Sequence, residues 1–89
     1  MAYGEITVDS NTSIEIVAAN TQRHSLLLVN LGAGVLYLGN NSSVTTATGL
    51  FLSSTTNLAE DSSGLKVYSG AYFGISNTQT KVRYWERTI

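Results

Sequence analysis

Ser25-Leu26-Leu27-Leu28-Val29-Asn30-Leu31-Gly32-Ala33-Gly34-Val35-Leu36-Tyr37-Leu38 decides the fold class. Two dense apolar runs flank a Gly-Ala-Gly turn, and each is too short for a stable helix and bounded by turn residues. Such runs read as strands covered on both faces. Because the turn between them is three residues long and rich in glycine, the pair is expected to form a β-hairpin.

Toward the N-terminus, Glu5-Ile6-Thr7-Val8-Asp9 and Ser13-Ile14-Glu15-Ile16-Val17 alternate polar and apolar around the turn-prone Ser10-Asn11-Thr12. They predict two half-buried strands. Ala18 to Arg23 is a connector. Beyond Leu38, Gly39 to Ser43 closes the central pair, Val44 to Thr48 reads as a loop, and Gly49-Leu50-Phe51-Leu52-Ser53 as a short strand. Ser54 to Ser63 reads as a long loop carrying Glu60 and Asp61, and loops are where binding roles concentrate. Leu65 to Tyr68, Ala71 to Ile75 and Thr80 to Glu86 complete about eight short strands, the spacing of a sandwich or barrel. With no helical period, no proline and no repeat, the chain is predicted to be all-β: one antiparallel β-sandwich over residues 1–89, with a jelly roll as its candidate form.

An isolated two-layer sandwich exposes one face of every strand, so its strands should alternate, yet Leu26 to Leu31 and Val35 to Leu38 do not. Either a loop or a closed barrel wall covers the second face from within, or a neighbouring subunit or larger surface covers it from without. Size favours the second. A domain of 89 residues buries only roughly 60 to 65 per cent of its unfolded surface, and with no cysteine and one histidine it has neither disulfides nor a thiolate or His-rich zinc site to reinforce it.

Composition excludes several functions. The net charge is -1 and the five Lys and Arg residues are scattered, which gives no stripe to track phosphates, so neither nucleic acid nor an anionic membrane is an expected partner. The start, Met1-Ala2-Tyr3-Gly4-Glu5, lacks the basic and apolar regions of a signal peptide, and no run reaches the roughly 18 apolar residues needed to span a bilayer. Synthesis in a cytoplasm as a soluble protein is the expectation. Charged residues are only 12 per cent of the chain, with Ser, Thr and Asn in their place, as suits a β-sandwich.

The ingredients of catalysis are sparse. A triad could draw only on His24 with Glu5, Asp9 or Glu15 and a serine, and no serine stands in a nucleophile-elbow context. No enzymatic activity and no cofactor are expected, and His24 beside Arg23 reads as a hydrogen-bonded strand-edge residue. Asn57, Glu60 and Asp61 supply oxygen ligands but match no calcium-loop spacing, so no metal is expected. The glycines lack phosphate-cradle spacing and fall at turns, where positive φ is the common need. Tyr68, Tyr72, Tyr84 and Trp85 cluster near the end of the chain and could stack on sugar rings, but adjacent Tyr84 and Trp85 must face opposite ways in a strand. The alternative is that one ring packs in the core while the other anchors a subunit contact.

Arg23 to Gly32, then Val35-Leu36-Tyr37-Leu38-Gly39, then Thr45-Thr46-Ala47-Thr48-Gly49-Leu50-Phe51-Leu52 follow one another in an order that resembles small virion proteins of tailed bacteriophages. The shared features are an Arg-led strand ending in Asn before a Gly turn, a Tyr-Leu-Gly strand, and a Thr-Ala-Thr-Gly-Leu lead into the next strand. Tyr68 to Ser76 and Val82-Arg83-Tyr84-Trp85-Glu86 are similar to the ends of the same domains, so the likeness spans roughly residues 23 to 86.

The resemblance implies a non-enzymatic β-sandwich on a capsid or tail. Its simplest form is a decoration (cement) protein bound to the exterior of a major capsid protein shell, as a homo-oligomer with a trimer favoured. A carbohydrate- or receptor-binding module of a tail or head fibre is the alternative, with Tyr72, Trp85 or Tyr68 stacking on sugars. The short N-terminus, which leaves little arm to clamp a shell, departs from the decoration pattern. Candidate oligomer or capsid contacts are Tyr3, Ile6 and Val8 in the first segment, Glu60 and Asp61, Tyr72 and Trp85.

Overall fold

The computed structural model describes residues 2–61 and 68–88. They form eight strands: β1 (Ala2–Val8), β2 (Ile14–Val17), β3 (Arg23–Asn30), β4 (Leu36–Gly39), β5 (Leu50–Leu52), β6 (Asn57–Asp61), β7 (Tyr72–Ser76) and β8 (Thr80–Thr88). The strands make two four-stranded antiparallel sheets, sheet A in the order β1-β8-β3-β6 and sheet B in the order β2-β7-β4-β5. Pairing runs β1 with β8, β2 with β7, β3 with β6 and β4 with β5. The chain is thus one long hairpin, its tip at the β4–β5 loop, rolled so that successive strand pairs alternate between sheets. That is the jelly roll.

The core lies between the sheets. Val8, Leu26, Leu28 and Val82 from sheet A meet Ile16, Val17, Leu36, Leu38 and Tyr72 from sheet B, all buried. Leu28, Leu36, Val8 and Val82 are sealed completely, and such side chains contribute roughly 1.5 to 3 kcal/mol each by burial.

The expected hairpin of the two apolar runs is corrected by this topology: β3 belongs to sheet A and β4 to sheet B, and they share no ladder. A short glycine-rich connection serves a corner between layers as readily as a hairpin. The corner is fixed by Asn30, whose Nδ2 donates to the carbonyls of Gly34 and Leu52, both at 2.9 Å, while its Oδ1 accepts from Thr80 Oγ1 at 2.6 Å and from the Gly32 amide at 3.3 Å. Asn30 is fully buried and fully satisfied, so its polarity is tolerable there.

The loop expected at Ser54 to Ser63 is corrected too. Asn57–Asp61 is strand β6, paired with β3 from Val29↔Asn57 to Ser25↔Asp61. Its Asn, Ala, Glu and Asp are poor strand formers. What makes it a strand is the open edge of β3 and the packing of Leu58 against the core. The strand expected at Leu65 to Tyr68 falls mostly outside the described residues, and Tyr68 itself is not in a strand.

Glycine at the turns answers to space rather than to positive φ. A Cβ on Gly32 would lie 2.6 Å from Thr80 Cα, and one on Gly74, inside β7, 2.6 Å from Ile16 Cδ1. Among the described non-glycine residues, those in the left-handed region are Asn11 (φ 60°) and Thr55 (φ 64°).

Candidate functional site

Sheet A turns Tyr3, Glu5 and Thr7 of β1, Lys81, Arg83, Trp85 and Arg87 of β8, and Leu27 and Val29 of β3 to the outside, because their neighbours Val8, Val82, Glu86, Leu26 and Leu28 face the core. Register then brings the outward residues into rows. Tyr3 lies opposite Trp85, Trp85 opposite Leu27, and Leu27 opposite Ala59. The next row is Glu5, Arg83, Val29 and Asn57.

Tyr3 is 72% exposed and Trp85 46%, large fractions for residues of their size. With Leu27, Val29, Arg83 and Tyr84 they line a shallow apolar depression of about 170 Å³. Arg83 Nε donates to Glu5 Oε2 at 3.0 Å, an ion pair exposed enough to add little stability and to fix the rim of the patch instead. Lys81, Arg83 and Arg87 all stand on the outward side of β8 around Trp85, so a chain of net charge -1 gathers three cations on one strand face. The scatter of basic residues along the sequence conceals this, because alternation in one strand collects them on one face.

Other candidates are placed differently. Val8 is fully buried, Ile6 packs against the core, and Tyr72 is 7% exposed beneath the Arg23 guanidinium, whose Cζ is 5.3 Å from the ring centroid. These three belong to the interior and do not join the patch. Tyr72 keeps only a small accessible surface, and with Tyr68, Leu38, Leu50 and Leu58 it lines an open cleft of about 430 Å³. Tyr68 packs edge-on against Tyr72 with centroids 5.2 Å apart, away from Trp85 on the far side of the sheet. Glu60 and Asp61 lie on the edge strand β6 and not in a loop.

The residues weighed for catalysis are separated. Glu5 pairs with Arg83, Asp9 accepts from Gln79 Nε2 at 2.8 Å, and Glu15 is on sheet B whereas His24 is on sheet A. Among the described residues no group of three or more His, Asp or Glu side chains could hold a metal ion. No described helix is long and apolar enough to cross a membrane.

Sequence reasoning missed the buried cation at the other end of β3. Arg23 Nε donates to Glu86 Oε2 at 2.6 Å, Nη1 to the carbonyls of Tyr68 (2.7 Å) and Gly70 (3.0 Å), and Nη2 to that of Ala18 (2.8 Å). A residue seven positions from inward-facing Asn30 should point outward. A register shift between Arg23 and Ser25 reverses the parity and turns both inward. Its role is to tie β3, β8 and two connections together, which is architecture and not chemistry.

No family model, curated protein or solved structure matches the chain.

Proposed function

We propose that the chain is a non-enzymatic structural protein of a tailed-bacteriophage virion, a decoration (cement) protein that binds the outside of a major capsid protein shell and stabilises it. Its place is the capsid exterior, reached after synthesis in the host cytoplasm. The observation that carries this reading is the outer face of sheet A, where Tyr3, Trp85 and Leu27 form an apolar row flanked by Lys81, Arg83 and Arg87. Exposed aromatic and arginine side chains clustered around an apolar centre are the composition of a protein-binding surface, and cations at the rim speed the approach of an acidic partner. The jelly roll, an architecture used by viral capsid domains, and the order of motifs from Arg23 to Glu86 support the same reading.

The test is co-sedimentation with shells of the virus whose genome encodes the chain. Wild-type protein pellets with the shells, less so as salt is raised, and Trp85→Asp stays in the supernatant while keeping its fold. Equal pelleting of Trp85→Asp would remove this face from the contact.

A second reading, a carbohydrate-binding module of a tail or head fibre, draws on the same pair. Tyr3 and Trp85 are cross-strand neighbours with exposed rings, as a sugar-stacking platform requires, and jelly rolls also serve as lectins. Trp85 is the only tryptophan, so a saturable change in its fluorescence on titration with host glycans separates this reading from shell binding.

A further inference from the structure

Each sheet of a sandwich has two edges, and an edge strand offers its unclaimed backbone groups to any other extended chain. The edges here are β1 and β6 of sheet A and β2 and β5 of sheet B. Three of them carry acidic residues: Glu5 in β1, Glu15 in β2, and Glu60 with Asp61 in β6. A charge on an edge discourages a further strand from adding to it. β5 is Leu50-Phe51-Leu52 and has none. β4 pairs along one side of β5, and no described strand pairs along the other.

Beneath that edge the sandwich is open. Leu50 lies opposite Leu38 and shares its inward parity, yet Leu38 is 7% exposed and Leu50 78%. The inward side of β5 faces the cleft of about 430 Å³, walled by Leu38 and Leu50 from sheet B, Leu58 from sheet A, and Tyr68 and Tyr72. Asn40 and Thr48 add neutral polar groups, and no charged side chain among the described residues joins the lining.

We infer that β5 takes up an extended, uncharged segment of another polypeptide as a further strand of sheet B, which seats an apolar side chain in this cleft. The edge and the cleft together select that occupant. An open ladder is completed by a backbone, which a small apolar molecule lacks, and every second side chain of an added strand falls on the inward side, over a neutral and apolar pocket. With three residues in β5 the ladder is short, so the seated side chain supplies much of the affinity. A second copy of the chain fits less well. Leu50 of β5 and Leu58 of β6 line the same cleft, so joining two β5 strands brings two β6 strands, each with Glu60 and Asp61, toward one another. The inference goes beyond the shell reading and does not rest on it, because it uses an edge of sheet B and not the outer face of sheet A.

Fluorescence anisotropy of the full chain with short labelled peptides tests it. The probes are acetylated, uncharged peptides in which Thr alternates with Leu, Val or Phe. Each is also made in two versions that are N-methylated on one or the other alternate set of residues, which removes the backbone donors of one strand edge at a time. The wild type is expected to bind at least one probe saturably and to lose one of its two N-methylated versions. Leu50→Lys, which sets a charge on the edge, weakens binding about 30-fold, the size of a hot-spot loss. Leu50→Ser, which removes the cleft wall without adding charge, weakens it too, and Gln22→Ala, in the exposed β2–β3 connection, binds as the wild type does. Circular dichroism confirms the fold of each variant. No binding of any probe by the wild type, a folded Leu50→Lys with wild-type affinity, or equal binding of both N-methylated versions would overturn the inference. So would a wild-type mass above the 9.5 kDa of one chain that Leu50→Lys returns to that value, since the edge would then belong to a second copy. Shell pelleting of Trp85→Asp speaks only to sheet A.

Discussion

Arg23 and Glu86 meet inside the sandwich, Nε to Oε2 at 2.6 Å, with the Arg23 side chain wholly inaccessible and that of Glu86 8% accessible. The pair is 63 residues apart in sequence, and with three further carbonyls on the guanidinium it fastens β3 and β8 to the β2–β3 and β6–β7 connections. A planar fork with five donors can serve four acceptors in this arrangement; an ammonium cannot. Arg23→Lys is therefore expected to keep the charge and still destabilise by about 2 kcal/mol or more, and Arg23→Ala, which strands Glu86, by about 3 to 5 kcal/mol. Urea denaturation measures both, and a Lys variant as stable as the wild type would show that charge alone matters.

Leu27 and Leu28 are neighbours in sequence with opposite fates. Leu28 is sealed in the core and Leu27 is half-buried on the outside, opposite Trp85. Leu28→Asp, like Leu36→Asp, should leave no folded protein, and Leu28→Ala should cost about 2 to 5 kcal/mol. Leu27→Asp should fold and lose shell binding. Thermal melts followed by circular dichroism separate the two positions.

Thr55 holds φ at 64° in the turn between β5 and β6, where its amide donates to the Asn30 carbonyl at 2.7 Å. A β-branched residue in the left-handed region is strained by about 1 kcal/mol or more. Thr55→Asn is expected to keep the turn and stabilise the domain by about 0.5 to 1 kcal/mol, a rise of roughly 2 to 8 °C in Tm by calorimetry.

Gly32 lies against Thr80, and a Cβ there would sit 2.6 Å from the Thr80 Cα, a backbone atom with nowhere to go. Gly32→Ala should separate β8 from the corner, weaken the Thr80 to Asn30 hydrogen bond and cost about 2 kcal/mol or more, while Ala33→Ser, at an exposed position, changes little. Denaturant midpoints compare the pair.

What the sequence made legible followed from alternation and turns. β1, β2 and β8 stand within a few residues of where polar and apolar positions alternate, and β5 and β7 where short apolar stretches lie between turn residues. Partner choice was not legible: whether β3 and β4 share a ladder or face each other across the core leaves the same apolar runs in the sequence. Nor was β6, made by tertiary pairing against its own propensity. Of the candidate contacts, Tyr3 and Trp85 come together because register joins the first strand to the last, whereas Ile6, Val8 and Tyr72 fall on the inward parity. Arg23 and Asn30, which lead and close the strand that carries the phage resemblance, are internal polar anchors, so that motif describes how the domain folds more than what it touches.

Quantitative mass spectrometry of purified particles of the virus that encodes the chain tests virion membership most directly. A decoration protein is present at a fixed number of copies per shell and returns to shells stripped of it; the chain abundant in infected cells yet absent from purified particles would contradict the proposed function.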